Sequence, residues 1–181
     1  MMDMRRLLML GAGLLLALGL TACSDTGIPE GMEPVRDFEL ERYLGQWHEI
    51  ARLDHKFERG LERVTATYSP REDGGVRVIN RGYNPEAGDW EEAEGRAYFI
   101  GSDNVGRLKV SFFGPFFGGY NIIELSDDYD YSMVAGPDRS YLWILAREPV
   151  LDETVLHRLV ERAAALGFDT DALIYPAPSE R

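Results

Sequence analysis

Residues 62–83, ERVTATYSPREDGGVRVINRGY, contain the pattern on which the fold prediction depends. The first seven residues alternate, so that Val64, Ala66 and Tyr68 share one face of a strand. The segment SPREDGG follows, and its proline and Asp-Gly-Gly sequence favour a tight turn. Alternation then resumes over residues 76–83. The stretch therefore predicts two antiparallel strands joined by a short hairpin connection.

Strands of the same kind are predicted on both sides of this hairpin, with glycine, proline, aspartate or asparagine between them. Short connections join antiparallel neighbours, so the series predicts an up-and-down sheet. A sheet of this length would expose its two edges unless it closed into a barrel, which is the arrangement that we predict. The eight predicted strands are Gln46–Leu53, Glu62–Tyr68, Val76–Tyr83, Trp90–Ile100, Arg107–Phe113, Gly119–Leu125, Tyr129–Ala135 and Ser140–Arg147.

One stretch after the last strand has helical periodicity. Asp152 and Glu153 place acidic groups at the positive end of a helix dipole, and Gly167 provides a stop. Between them, apolar residues recur every three or four positions from Val155 to Leu166. The predicted fold class is therefore all-β: an eight-stranded antiparallel up-and-down β-barrel with one C-terminal amphipathic α-helix packed outside.

Strand phase predicts which side chains point into the barrel. If Trp47 points inward, alternate residues of each strand do so too. Together they form an apolar, aromatic cavity with a few polar groups, which suits a long acyl chain. An interior filled by its own side chains, as in the smallest barrels, is the alternative. The predicted ligand-lining residues are Ala51, Leu53, Ala66, Tyr68, Val78, Asn80, Val110, Phe112, Tyr141 and Trp143.

The same phase directs Glu49 into the barrel, where an unpaired carboxylate would cost several kcal/mol. Two arrangements are open for this residue. Glu49 can pair with an arginine near the barrel base, Arg147 being one candidate, or a bulge in the first strand can turn it outward.

The N-terminus has the pattern of a secretory signal. Arg5 and Arg6 make its start positive, and residues 7–20 form a run of 14 apolar or glycine residues. This run is shorter than the roughly 20 residues of a membrane-spanning helix. The quartet LTAC at 20–23 resembles the lipobox of bacterial lipoproteins, which implies a signal peptide over 1–22 and acylation of Cys23. An ordinary cleaved signal that happens to end in cysteine is the alternative.

Acylation would attach three hydrocarbon tails, and each buried methylene contributes about 0.8 kcal/mol, so the anchor should be permanent. Ser24 after the cysteine favours the outer membrane over the inner one, as the lipoprotein resemblance implies. Residues 23–36 contain several glycines and prolines and predict a flexible tether. The barrel domain is predicted over 37–176, followed by a C-terminal tail at 177–181. The predicted localisation is the outer membrane, lipid-anchored and facing the periplasm.

Size and charge limit the classes of partner. Processing leaves 159 residues, enough for one domain with a sizeable core, and changes the formal net charge from −12 to −13. Such an acidic chain argues against nucleic acid as a partner and against electrostatic docking on anionic lipid. Cys23 is the only cysteine, so no internal disulfide is expected.

Two motifs resemble those of the lipocalin family. Gly45-Gln46-Trp47 opens the first strand as the G-x-W motif does in lipocalins. Arg147 ends the eighth strand in YLWILAREP, where that family places an arginine that stacks on the tryptophan. Such stacking is a cation–π contact of about 0.5–2 kcal/mol. We expect Gly45, Trp47 and Arg147 to have structural roles.

The resemblance covers about residues 37–175 and is closest to the bacterial outer-membrane lipocalins, with apolipoprotein D as the animal relative. A third family motif, a T-D-Y triplet before the seventh strand, is poorly kept, because Ser-Asp-Asp-Tyr stands at 126–129. The resemblance implies a carrier that stores or transfers a fatty acid or lysophospholipid for envelope maintenance. A filled barrel that acts as a structural or interaction module of the envelope, or as a homodimer, is the alternative.

The segment FFGPFFGGY at 112–120 is too apolar for an ordinary exposed loop. Part of it must point into the barrel. The rest can rim the open mouth and touch the bilayer, form a subunit interface, or fold back over the barrel end.

No pattern typical of an enzyme is present. His48, His55 and His157 lack metal-ligand spacing, and the chain has no nucleophile elbow, phosphate-binding glycine loop or second cysteine. We therefore expect no catalytic residue, no metal and no cofactor.

Overall fold

The structure, a computed structural model, describes residues 25–179; the predicted signal peptide (1–22) and Cys23 lie outside this range. Its α-helices are α1 (Leu40–Tyr43) and α2 (Glu153–Ala165), and a short 3-10 turn spans Thr170–Ala172. None of the helices in the described part is long and apolar enough to cross a bilayer. The strands of the sheet are β1 (Gly45–Leu53), β2 (Glu62–Pro70), β3 (Val76–Asn84), β4 (Asp89–Phe99), β5 (Arg107–Ser111), β6 (Gly118–Leu125), β7 (Tyr131–Ala135), β8 (Leu142–Ala146) and the two-residue β9 (Leu173–Ile174).

The first eight strands form a closed barrel. Each pairs antiparallel with the next along the chain, and β1 also pairs with β8. Strand β9 pairs with the last two residues of β1, past the end of the β1–β2 pairing. Closure leaves the sheet without the exposed edges that an open meander would have. The predicted up-and-down barrel with a C-terminal helix is confirmed, although α1 and β9 were not predicted and several strand ends differ by one or two residues.

The two ends of the barrel differ. Four connections lie at one end, which we call the open end: residues 54–61, 85–88, 112–117 and 136–141. The opposite, closed end carries helix α1 and the other connections. The chain therefore enters the barrel at its closed end, with Gly45 as the first residue of β1.

Helix α2 lies on the outside of the barrel. The Asp152 side chain accepts hydrogen bonds from the backbone N–H groups of Thr154 and Val155, which caps the helix as the acidic start predicted. Leu159 and Ala163 are fully buried against outward-facing residues of β1, β7 and β8. The core therefore has two layers, one beneath α2 and one inside the barrel.

Strand β1 changes phase halfway along its length. Its register against β8 shifts between Glu49 and Ala51, which is the signature of a β-bulge. After the bulge, Ala51 and Leu53 face outward into the layer beneath α2, and Arg52 takes the inward position beside Glu49. The predicted inward orientation of Ala51 and Leu53 is therefore wrong, because one extra residue exchanges the two faces of a strand.

The N-terminal segment, residues 25–36, lies against the barrel wall. A flexible tether was predicted here, and the packed segment differs from that prediction. Its residue Met32 is buried, and its backbone adds an isolated bridge at each end, Asp25 to Gly118 and Arg36 to Val105. It runs from the open end to the closed end, where Phe38 N–H donates to Asn104 O. Main-chain hydrogen bonds explain why this segment lies in a defined position, since the polar backbone groups of a segment packed on protein must be paired. Further bonds are Gly119 N to Asp25 O, Gly106 N to Val35 O and Val35 N to Ile122 O.

Candidate functional site

The closed end of the barrel is plugged by Trp47, whose side chain is fully buried. Its indole N–H donates to the carbonyl of Tyr43 at 2.8 Å, and the guanidinium carbon of Arg147 lies 4.0 Å from the ring centre. Arg147 also donates to the carbonyls of Gln46 and Arg42. The predicted stacking of Arg147 on Trp47 is confirmed, and it ties α1, β1 and β8 together at the barrel base.

Gly45 begins β1 with φ of 93°, in the left-handed region that side-chain-bearing residues seldom adopt. A Cβ atom at this position would also face the Arg147 guanidinium at 3.5 Å. The glycine thus permits the sharp entry of the chain beneath the stacked pair.

A cavity of about 740 Å³ occupies the barrel interior and reaches the open end. The barrel is thus not filled by its own side chains in this structure. Most of its wall is aliphatic or aromatic. Eight of the ten predicted lining residues lie in this wall, and Ala51 and Leu53 do not: the eight are Ala66, Tyr68, Val78, Asn80, Val110, Phe112, Tyr141 and Trp143.

Three tyrosine hydroxyls form a chain in the lower part of the cavity. Tyr120 Oη lies 2.9 Å from that of Tyr43 and 2.8 Å from that of Tyr68, and Tyr43 also contacts Ser132 Oγ. Burial raises the pKa of Tyr43 to about 12 and raises those of Tyr68 and Tyr120 well above their ordinary value. These hydroxyls therefore remain neutral. Neither Tyr43 nor Tyr120 was predicted. Tyr43 belongs to α1, outside the strand pattern, and Tyr120 lies in a predicted strand whose inward face was not assigned.

Glu49 points into the cavity and pairs with Arg52, whose Nη1 lies 2.5 Å from Glu49 Oε1. The candidate partner Arg147 was therefore wrong. Arg52 reaches Glu49 because the bulge turns both side chains inward three residues apart. Burial, and then the negative charge of Glu58, raise the pKa of Glu49 to about 8 against the opposing effect of Arg52.

Glu58 is the centre of a polar cluster that the sequence pattern did not reveal. Trp143 Nε1 donates to its Oε2 at 3.0 Å, Asn80 Nδ2 donates to its Oε1 at 3.2 Å, and His55 Nε2 lies 3.1 Å from Oε2. Arg52 binds the Glu58 carbonyl. Burial alone would raise the pKa of Glu58, but His55, Trp143 and Arg52 together lower it. Glu58 was missed because it belongs to a loop, where strand phase gives no direction.

The aromatic segment at 112–120 divides as the sequence suggested. Phe112 is half-buried and lines the cavity, whereas Phe113 and Phe116 line its rim and are exposed. The site as a whole is an apolar pocket with one polar cluster and one hydroxyl chain. Such a pocket can enclose a molecule that is mainly hydrocarbon and bears a polar end. Among residues 25–179, no group of acidic, histidine or cysteine side chains is arranged to hold a metal ion.

Comparisons with known proteins agree with this geometry. The family model of the lipocalin-like domain matches residues 38–178. The outer membrane lipoprotein Blc of Escherichia coli strain K12 is 52% identical over 170 residues, which cover 94% of this chain and 96% of that protein. Mouse apolipoprotein D is 28% identical over 149 residues, 77% of each chain.

Insecticyanin from the tobacco hornworm Manduca sexta has a similar structure, with a TM-score of 0.67, 22% identity and coverage of 85% of this chain and 88% of its own. This likeness extends over the barrel and shows the fold. The family model and the bacterial relative identify the chain as a member of the lipocalin family, a family of binding proteins, and as an outer membrane lipoprotein.

Proposed function

We propose that this protein binds one amphiphile with a long acyl chain, a fatty acid or a lysophospholipid, and stores or transfers it for maintenance of the cell envelope. The cavity of about 740 Å³ is the observation that carries the proposal. Its volume falls within the roughly 300–1,000 Å³ of small-molecule sites, which are mainly apolar with a few placed polar groups.

Burial of the acyl chain would supply most of the affinity. Each methylene removed from water contributes about 0.8 kcal/mol, so ten of them contribute about 8 kcal/mol before ordering costs are subtracted. A net binding free energy of this size would correspond to a dissociation constant of about 1 μM, so with the ordering costs subtracted a ligand with ten buried methylenes binds more weakly than that. The aliphatic wall of the cavity, which includes Val64, Val76, Val78, Leu108 and Val110, suits this role.

The polar cluster around Glu58 supports a position for the head group. Asn80 Oδ1 and His55 Nδ1 are buried in the cavity wall without a hydrogen-bond partner among the described residues. A buried polar atom without a partner costs about 1–3 kcal/mol. A hydroxyl or another polar group of the ligand placed beside them would recover part of this cost.

Native mass spectrometry of the soluble form, residues 24–181, tests the proposal. We expect lipid to co-purify at one molecule per chain and a fluorescent fatty acid to exchange with it. A barrel that purifies empty and binds no fatty acid would instead support the alternative of an interaction module. We also propose that the protein is not an enzyme. This would be contradicted if the protein hydrolysed a lipid ester and a single side-chain substitution abolished that hydrolysis.

A further inference from the structure

Exposed apolar side chains are concentrated at the open end of the barrel. Six large hydrophobic side chains are exposed in the described part of the chain, and four of them lie at this end. Phe113 is 69% exposed, Phe116 and Phe57 are each 55% exposed, and Trp90 is 39% exposed. Groups of this kind in one region of a surface mark a contact with another apolar surface.

The three exposed phenylalanines lie on two opposite sides of the opening. Phe57 belongs to the β1–β2 loop (54–61), and Phe113 and Phe116 belong to the β5–β6 loop (112–117). In an eight-stranded barrel these loops are four strands apart, hence across the mouth from each other. We call them the first and second lip. A flat apolar partner that covers the mouth would contact both lips at once.

Basic side chains accompany the aromatic ones on both lips, although the protein is strongly acidic. On the first lip, Lys56 Nζ lies 5.2 Å from the centre of the Phe57 ring. Two basic side chains of the neighbouring strands lie beside the second lip: Lys109 Nζ of β5 is 4.9 Å and the Arg96 guanidinium carbon of β4 is 5.7 Å from the centre of the Phe117 ring. Phenylalanines with neighbouring lysine or arginine, whose long apolar stems let the charge reach water, are typical of protein surfaces that lie on a membrane.

The N-terminal segment brings the chain to this same end. Asp25 forms a bridge with Gly118 beside the second lip and itself lines the cavity rim. Cys23 precedes Asp25 by two residues, a length of chain that spans at most about 7 Å. The described chain therefore begins at the open end of the barrel, two residues after the predicted acylation site.

We propose that the open end docks directly on the lipid bilayer, with both lips in its head-group region and the acyl chains of Cys23 inserted beside the second lip. The proposal depends on acylation of Cys23 but not on what the cavity binds. In this orientation the cavity opens onto the membrane surface, so a lipid leaving the bilayer enters the barrel without crossing bulk water.

Fluorescent labels at defined positions test this orientation in the full mature lipoprotein, reconstituted in phosphatidylcholine vesicles. Cys23 is the only cysteine and acylation consumes its thiol, so a new cysteine can be labelled alone. Phe113→Cys and Phe57→Cys place an environment-sensitive dye on the two lips. Val150→Cys is the matched control, because Val150 is also 69% exposed but follows β8 at the closed end. The unsubstituted lipoprotein gives the background of labelling.

Spin-labelled lipids in the vesicles serve as quenchers. We expect the emission of both lip labels to shift to shorter wavelength and to lose intensity. The label at position 150 should keep the emission wavelength of a dye in water and should not be quenched. Equal quenching at the three positions, or quenching at position 150 alone, would overturn the proposal. A wavelength shift at the lips without quenching would also overturn it, because it would place a second copy of the chain over the mouth. Fatty-acid binding by the same preparations, measured separately, tests the cavity's function independently of docking.

Discussion

Leu142 and Trp143 are adjacent residues on β8 whose side chains lie on opposite faces of the barrel wall. Leu142 is fully buried beneath α2, whereas Trp143 lines the cavity and binds Glu58. We expect Trp143→Ala to weaken fatty-acid binding by about tenfold or more, equivalent to about 1.4 kcal/mol. Leu142→Ala should instead lower the free energy of unfolding by about 2–5 kcal/mol.

Urea unfolding and titration with a fluorescent fatty acid, done on both variants, separate these effects. The folded fraction of Leu142→Ala should bind as the unsubstituted protein does. If Trp143→Ala lost stability and affinity to the same extent, Trp143 would belong to a packed core and not to a ligand site.

Glu49 should make the stability depend on pH. Its pKa is about 8 in the folded protein against an ordinary value of 4.5, because burial and Glu58 disfavour its charge. Between these pH values the folded state therefore binds more protons than the unfolded state. The contribution of Glu49 to the free energy of unfolding is complete below about pH 4.5 and is lost as pH rises through about 8. We expect the free energy of unfolding to decrease more between pH 5 and 8 in the unsubstituted protein than in Glu49→Gln.

Denaturant unfolding across that pH range measures this difference. Glu94→Gln is the control, since Glu94 is an exposed carboxylate on β4. Identical pH profiles for Glu49→Gln and the unsubstituted protein would show that Arg52 keeps Glu49 ionised throughout.

Among the elements, helix α2 depends on its cap. Asp152 accepts hydrogen bonds from the first-turn N–H groups of Thr154 and Val155 at 2.9 and 3.2 Å. Asp152→Ala should lower the free energy of unfolding by about 1 kcal/mol, within the 0.5–2 kcal/mol usual for such caps. Asp169→Ala is the matched control, because Asp169 precedes the short 3-10 turn without a side-chain cap bond. Thermal unfolding compares the two, and equal losses would argue against the cap.

The N-terminal segment is held to the barrel by Asn121, a fully buried residue of β6. Its Nδ2 donates to the carbonyl of Gly27 at 3.0 Å as well as to those of Ala135 and Gly136. We expect Asn121→Ala to speed amide hydrogen exchange over residues 25–32 more than over α2. Exchange that rises equally in both regions would mean that the substitution loosens the whole barrel.

The elements also show where prediction from sequence succeeds and fails. On β2, β3 and β5 unbroken alternation placed every predicted residue on the correct face, because one side of each strand is apolar. On β1 the bulge after Glu49 reversed the faces of Ala51 and Leu53, and no residue type in that stretch predicts a bulge. Glu58 is positioned by tertiary hydrogen bonds, which have no local pattern. Residues 25–36 have the composition of a linker, yet they are ordered by main-chain bonds to the barrel.

At the scale of the whole molecule, the anchor should affect delivery of lipid and not affinity. Cys23→Ala would release the protein from the membrane and leave the cavity unchanged, while the local concentration of the barrel at the bilayer would fall. We expect equal affinity for a fatty acid in solution but slower uptake of a fluorescent lysophospholipid from vesicles. Stopped-flow transfer measures the rate. Equal uptake rates would show that exchange proceeds through water.

The most direct test of the lipid-binding proposal is to fill the cavity from within. Ala66 lies in the cavity wall, and its neighbour Thr67 on β2 is not part of that wall. Ala66→Phe should abolish or strongly weaken binding in a fluorescent fatty-acid titration, while Thr67→Phe should retain one site per chain. Near-ultraviolet circular dichroism verifies folding, and Val110→Phe, also inward-facing, replaces Ala66→Phe if that variant fails to fold. Loss of binding in the inward variant alone is the expected result; full binding by a folded, cavity-filled variant would contradict the proposal.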